Sequence, residues 1–311
     1  MKHFLLLLLF FSFAVTASAN AIDSLKTDND VLKFILKTDT NFSYKGNPQI
    51  TVVPRDTLFK LLKCNDVARQ WGIKTWQKVD FNQDGLTDLL VIVKGILAFE
   101  VCVVIDKGTN TFTMLNLSQG HGLVDVCEVA KPLMINKQQM LLFYSKMDRI
   151  KKDKGKVTVD RAPRKDTLIF KYDGFVEYNP KPDQYQISYF AVETRGCYGE
   201  CPIYTLRVSA DGKATYQADE FNPVKGNFKG SVSVDKLNEI KSLVNYIKIK
   251  KLQDNYRVPW TDDATAILKV GFKNGTVKEI TDYGMIGTRG LSQLYYLISE
   301  LRTSEKWSKA D

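Results

Sequence analysis

The sequence is poor in histidine: 2 residues in 311, at positions 3 and 121. His3 belongs to an apolar leader-like start, so His121 stands alone in the remainder, in the loop Gln119-Gly120-His121-Gly122. That scarcity excludes most histidine-based catalysis and histidine-rich metal sites. Also missing are a G-x-S-x-G elbow, an H-E-x-x-H pair, a phosphate-cradling glycine loop and a dinucleotide fingerprint. Long apolar runs are absent beyond the first segment, MKHFLLLLLFFSFAVTASANA. Its apolar part, Phe4 to Val15, is shorter than the roughly 20 residues that a spanning helix needs. With a basic start and Ala17-Ser18-Ala19 as a small-residue cleavage site, residues 1–19 read as a signal peptide. The expected product is exported, periplasmic or secreted, and not membrane-spanning.

The rest has ordinary globular composition, 44% hydrophobic and 25% charged. Loss of Lys2 with the leader lowers the formal charge from +9 to +8. Part of the excess lies in KMDRIKKDKGK, residues 146–156, where acids alternate with bases and aromatics are missing. This reads as a solvated loop and excludes a nucleic-acid interface. Five cysteines, an odd number, follow the leader: Cys64, Cys102, Cys127, Cys197 and Cys201. In an oxidising compartment they pair where geometry allows.

Hydrophobic period divides the chain. Val31, Ile35 and Leu36 predict a helix within residues 23–38, and Leu58, Leu61, Leu62 and Val67 predict a second ending near Gly72. Short β-branched or aromatic runs follow at 89–93, 99–105, 111–115, 124–129, 139–144, 157–160 and 168–172. Two prolines in YNPKPDQY, residues 178–185, cannot join a central ladder and mark a linker. Beyond it come strands at about 185–193, 203–209, 213–218 and 227–234. A helix at 234–247, strands at 266–272 and 276–281 around Asn274-Gly275, and a helix carrying Leu291, Leu294, Tyr295 and Ile298 complete the chain. The expected class is α+β, with helices plus an antiparallel meander in residues 20–178, then a ββββαββα domain with an antiparallel sheet in 179–311.

Two stretches carry chemistry. In DFNQDGLTD, residues 80–88, Asp80, Asn82 and Asp84 occupy alternate positions before Gly85. The Leu86 carbonyl and Asp88 extend an oxygen-ligand set for Ca2+, with Asp88 binding directly or through water. A twelfth-position glutamate is missing, since Val91 stands there, so the loop is not an EF-hand. It resembles the Asp-x-Asn-x-Asp-Gly-x-x-Asp-Leu stretch of FG-GAP and VCBS repeats, over residues 79–93 and in a single copy. The resemblance implies a structural calcium loop on another β scaffold. The competing reading is a set of Asx turns with Gly85 at positive φ.

In RGCYGECPIY, Cys197 and Cys201 are four apart, the wrong spacing for a C-x-x-C redox motif, and a second pair for zinc is lacking. Along an extended strand their Cα atoms would lie about 13 Å apart, beyond the reach of a disulfide. Gly199 lets the chain fold back, which predicts a disulfide-closed turn. Cys102 and Cys127, each in a predicted strand, are expected to meet across a sheet, with Cys64 on an apolar helical face as a buried thiol; other pairings that include Cys64 stay open.

The second half resembles an uncharacterised bacterial domain family whose signature is an Arg, then C-x-G-x-C-P-x-Y, then an Asp-Gly strand turn and a later acidic spot. The matching residues are Arg195, Cys197, Gly199, Cys201, Pro202, Tyr204, Asp211, Gly212, Tyr216, Asp263 and Gly275, over about 185–303. It departs at Ala218 and near Thr288 to Gly290. The resemblance implies a fold and no activity. The expected function is a non-enzymatic binding or structural protein of the cell envelope, with a protein, glycan or anionic partner. The alternative is a hydrolase using Asp262 and Asp263 after Trp260, or a thiol-redox protein using Cys197 and Cys201.

Overall fold

The computed structural model describes residues 20–119, 126–153 and 156–310. The leader and His121 lie outside them. The protein is α+β, as its periodicities predict.

Helix α1 (Asp28–Thr38) starts in a capping box: Thr27 Oγ1 accepts from Asp30 N while Asp30 accepts from Thr27 N. Its buried stripe is Val31 and Ile35. A two-residue hairpin, β1 (Ser43–Tyr44) and β2 (Asn47–Pro48), follows. The predicted second helix is two helices, α2 (Arg55–Leu61) and α3 (Asn65–Gln70). The break falls at Leu62 to Cys64 because Cys64 is drawn out of helical register into a disulfide with Cys127, and Cys64 N donates to Cys127 Sγ at 3.1 Å.

Strands β3 (Trp76–Val79), β4 (Asp88–Lys94), β5 (Phe99–Asp106) and β6 (Phe112–Asn116) form an antiparallel sheet in sequence order. One face, with Leu89, Val91, Val93, Cys102 and Val104, packs under α1. The other, with Leu90, Ile92, Val101, Val103 and Ile105, packs on α2, α3 and a second sheet. Burial on both faces explains why β4 and β5 are continuous apolar runs rather than alternating ones. The second sheet has the order β12-β11-β8-β7, from β7 (Cys127–Ile135), β8 (Gln138–Lys146), β11 (Arg164–Lys171) and β12 (Gly174–Glu177). Strand β7 is its edge, which tolerates Pro132 without a backbone donor.

The two-faced sheet corrects the expected cysteine pairing. Cys102 points into the α1 core, whereas Cys127 lies in the opposite core beside Cys64. With a side-chain period of two, an even position on β5 cannot reach the face that its odd neighbours Val101 and Val103 share with Cys127. Cys102 is therefore a buried free thiol, and Cys64 takes its place in the bond.

Residues 146–156, expected as a solvated loop, supply most of a β hairpin, β9 (Arg149–Asp153) and β10 (Lys156–Asp160). It joins a ten-stranded sheet of order β10-β9-β17-β19-β18-β13-β14-β15-β16-β20. The core of that sheet comes from β13 (Ile187–Arg195), β14 (Tyr204–Ser209), β15 (Lys213–Ala218), β16 (Gly226–Ser231), β18 (Thr265–Phe272) and β19 (Val277–Tyr283). Gly212 and Gly275, at φ +87° and +82°, close the predicted β14–β15 and β18–β19 hairpins. Helices α4 (Val234–Tyr246) and α5 (Arg289–Ser304) cover one face, burying Leu237, Ile240, Leu243, Leu294, Ile298 and Leu301 against Phe190, Leu206, Tyr216 and Leu268. Besides β9, two strands of this sheet escape periodicity: β17 (Asn255–Arg257), which pairs in parallel with β19, and the closing β20 (Trp307–Lys309). Each is three residues long, too short for a period to register.

The second and ten-stranded sheets are joined at the start of α5. The Glu177 carboxylate, at the end of β12, accepts from Arg289 N at 2.6 Å and Gly290 N at 2.9 Å. A carboxylate there meets both the orphan amides and the positive end of the helix dipole. Gly290 lets the start of α5 pack against Ile247, from which a Cβ would lie only 2.4 Å, and leaves room for the Glu177 carboxylate, 3.3 Å from the same position.

Candidate functional site

The sequence-predicted residues occupy two places, and a third site emerges only from the fold. The DFNQDGLTD loop runs from the end of β3 to the start of β4. Asp80 accepts from Asp84 N at 3.2 Å and Gly85 N at 3.0 Å, while Asp84 accepts from Leu86 N at 2.8 Å. Asn82 Nδ2 donates to Asp84 at 2.7 Å, and Gly85 sits at φ +88°. Asp88 is fully buried beneath them: one oxygen accepts from Phe81 N at 2.8 Å and the other from Asp106 N at 2.9 Å. Burial, then the charges of Asp84 and Asp80, push its carboxyl up to about 6. Asp88 thus ties the loop to the start and end of the β4–β5 pair.

The residues fit a cation in part. Asp80, Asn82 and Asp84 remain solvent-accessible, and each carboxylate oxygen keeps a second lone pair. Asp88 has both oxygens turned to backbone donors, which suits the water-bridged role better than direct ligation. Among the described residues no group of three or more His, Cys, Asp and Glu side chains is arranged to hold a metal.

The second place combines two stretches that the sequence offers as separate candidates. Cys197 and Cys201 form the predicted disulfide across the turn, with Cα atoms 5.7 Å apart. Tyr198 N, within it, donates to the carbonyl of Asp262 at 3.0 Å. Asp262 takes φ +76°, and its carboxylate accepts from Thr261 Oγ1, whereas the Asp263 carboxylate accepts from Trp260 Nε1. Each carboxylate is engaged by a local donor, and the disulfide holds both sulfurs. Tyr198 projects beside this pair, 90% exposed.

The third site lies where the β9–β10 hairpin joins the large sheet. Ile150 pairs with Arg257 of β17, and Arg257 in turn pairs with Tyr283 of β19. Strand β11 begins at Arg164, opposite Ser145 of β8. These pairings converge Arg149, Arg164, Tyr256, Arg257, Asp282 and Gly287 on one small cleft of about 20 Å³. Arg149 donates to Met147 O at 3.3 Å and Ser145 Oγ at 3.4 Å. Burial first, then the positive charge of Arg164, lowers its guanidinium to about 10. The Arg257 guanidinium lies 5.2 Å from the Tyr283 ring centre. Among the described residues none of the three guanidinium groups forms an ion pair with a carboxylate.

At the base of the cleft Asp282 is buried. Its Oδ2 accepts from Gly287 N at 2.9 Å, while Oδ1 lacks a well-formed partner. Burial pushes this carboxyl up to about 6. The Tyr295 hydroxyl, also buried and without a well-formed bond, interacts with the same carboxylate; burial and the Asp282 charge raise it well above its usual range. Gly287 is required by contact, since a Cβ would lie 2.5 Å from the Tyr256 ring and 2.9 Å from Asp282 Oδ2. No spacing in the sequence signals this cluster, because its members span residues 149 to 295 and meet only through strand pairing.

Residues 188–302 match the family model of a domain of unknown function, DUF6438. The match runs from β13 into α5 and includes Asp282, Gly287, Tyr295 and the cysteine turn, but not Arg149 or Arg164. No curated protein and no solved structure matches the chain.

Proposed function

We propose that the chain is an exported, non-enzymatic binding protein of the cell envelope that recognises an anionic group at the arginine-lined cleft. The observation that carries this reading is the convergence of Arg149, Arg164 and Arg257 around the half-satisfied Asp282, with no direct ion pair to a carboxylate among the described residues and with Glu128, Asp166 and Asp160 acting on Arg149 only from a distance. Three cations gathered at a partly desolvated site repel one another, and an anion relieves that repulsion. A cleft of about 20 Å³ has room for little more than a water-sized group, so it accepts the tip of a ligand rather than a whole molecule. A carboxylate, phosphate or sulfate end group on an envelope polymer, or free phosphate itself, has suitable charge and can enter the cleft by a terminal oxygen while the rest stays outside. Two disulfides and a leader-like start support an oxidising, exported setting. The 80–88 loop contributes a structural calcium ion in this reading, held by Asp80, Asn82, Asp84 and the Leu86 carbonyl, with Asp88 behind water.

Calorimetric titration of the protein with inorganic phosphate in a non-coordinating buffer tests the cleft. Saturable binding weakened at least tenfold by Arg149→Gln with Arg257→Gln is the expected result. Absence of heat, or heat unchanged in that variant, would remove the anion reading. A parallel calcium titration with Asp84→Ala tests the loop by itself: one-site binding is expected in the parent and lost in the variant.

A further inference from the structure

We propose that the tip of the β4–β5 hairpin docks the protein on an anionic lipid bilayer. The turn Gly95-Ile96-Leu97-Ala98 is closed by a Gly95 N to Ala98 O hydrogen bond of 2.8 Å. At its apex Ile96 is 73% exposed and Leu97 71% exposed, beside Leu61 at 48%. Single exposed apolar residues are ordinary, but three branched aliphatic side chains gathered at a projecting hairpin and the adjacent helix end make a contiguous patch. A groove of about 200 Å³ between them is lined by Leu61, Lys63, Lys94, Ile96, Leu97 and Val126. On the other side of the tip, Phe42 and Ile50 line a second groove with the same two residues.

The patch is held in place at both margins. Lys94 and Thr51 exchange backbone hydrogen bonds of 2.8 and 2.9 Å at the base of the hairpin. The Cys64–Cys127 disulfide fixes the end of α2 where Leu61 and Lys63 face the hairpin. A rigid apolar tip loses little conformational entropy on insertion, which favours docking over collapse onto the protein's own surface.

Charge selects the occupant. Around the tip, α2 and α3, Arg55, Lys60, Lys63, Arg69 and Lys94 stand against Asp56, Asp66 and Glu100, while the hairpin's other two carboxylates, Asp88 and Asp106, lie at its far end. Glu100 lines the second groove with Ile96 and Leu97, its carboxylate engaged by Asn116 Nδ2 at 2.6 Å, so the anionic face of the tip is the side away from Lys63. Lys63 and Lys94 line the groove beside the apolar apex, and Lys60, adjacent to Leu61 in the chain, is exposed at the end of α2. An apolar tip collared by lysines matches the interface of a bilayer with anionic headgroups: the aliphatic side chains enter the acyl boundary and the ammonium groups stay at the headgroups. A protein partner would need a complementary apolar pocket. The bilayer needs none, and no helix among the described residues is long and apolar enough to cross it. This docking is independent of the arginine cleft.

Vesicle flotation tests the inference, using the full protein with phosphatidylglycerol vesicles or with phosphatidylcholine vesicles. Flotation with the anionic vesicles alone is expected. Ile96→Asp with Leu97→Asp should abolish it, and each of Lys60→Gln, Lys63→Gln and Lys94→Gln should weaken partitioning by roughly fivefold. All five positions are solvent-exposed, so the variants should melt with the parent, which separates lost docking from lost folding. Leu97→Trp adds a direct readout, an indole emission that shifts to the blue on anionic vesicles. Flotation that persists in the double aspartate variant would overturn the proposal. So would an absence of flotation, or a dimer in light scattering that the same variant dissociates while vesicles are ignored; that last result would assign the patch to a second copy of the chain.

Discussion

Asp282→Asn should stabilise the protein at neutral pH and leave it nearly unchanged in acid. In the folded protein the carboxyl is buried and titrates at about 6, against 3.8 for an unperturbed carboxyl. Below about pH 4 both folded and unfolded chains hold the proton, and burial carries no charge penalty. Between about pH 4 and 6 the unfolded chain releases the proton while the folded chain keeps it, so stability falls as pH rises. Above about 6 the loss is complete and amounts to about 3 kcal/mol. Asparagine cannot ionise, keeps an oxygen for Gly287 N, and brings an amide donor toward the Tyr295 hydroxyl. Urea unfolding of parent and variant at pH 4.5, 5.5, 6.5 and 7.5 isolates the effect, because the other carboxyls are common to both. The difference should grow with pH in favour of asparagine and level off above about 6.5. A difference independent of pH, or one that turns against asparagine as pH rises, would refute the burial argument.

Thiol titration should find one thiol per chain, silent in the native state and reactive in denaturant, because Cys102 is buried and burial raises it far above the usual thiol range. The Cys64→Ala/Cys127→Ala variant should lose about 4 kcal/mol, since its bond closes a separation of 63 residues, and Cys197→Ala/Cys201→Ala about 2 kcal/mol for a separation of 4. Denaturation midpoints of the two variants check that order. In chelator, Asp88→Ala should cost about 3 kcal/mol by stranding the Phe81 and Asp106 amides, while Asp84→Ala at the exposed loop should stay within about 0.5 kcal/mol.

Where the sequence was legible, a repeated local signal was at work. Leu237, Ile240, Leu243 and Val244 repeat with helical spacing, and α4 forms there with that stripe in the core. Asp211-Gly212 and Asn274-Gly275 mark turns that only a positive φ closes, and both close hairpins. Gly199 lets five residues fold back into a disulfide. The signal fails where a tertiary bond overrides a local period. Leu58 to Val67 reads as one helix, but the Cys64 bond to Cys127 breaks it in two. Residues 146–156 read as solvated because their composition is charged, yet backbone pairing with β17 is indifferent to side-chain polarity at a sheet margin. The cysteine error has the same origin: predicted strands give Cys102 and Cys127 plausible proximity, while the parity of β5 decides which core each one enters.

That parity argument reaches the candidate sites as well. A residue's chemistry is visible in the sequence, but its company depends on strand order and on which face of a strand it occupies. Asp80, Asn82, Asp84 and Asp88 could be read together because a single turn carries them all. Arg149, Arg164, Arg257 and Asp282 could not, since β9 reaches the cleft from one part of the chain and β17 and β19 from another. Strand β17 is the connecting element: only three residues long, it pairs with β9 on one side and β19 on the other. A substitution that blocks β17 pairing, such as Tyr256→Pro, should therefore separate Arg257 from Arg149 and abolish anion binding, whereas Tyr256→Ala, which removes the same cleft-lining ring but keeps the backbone donor, should retain it. Loss of phosphate binding in a variant whose other sheets still unfold cooperatively would place the origin of the site in strand order rather than in any local motif.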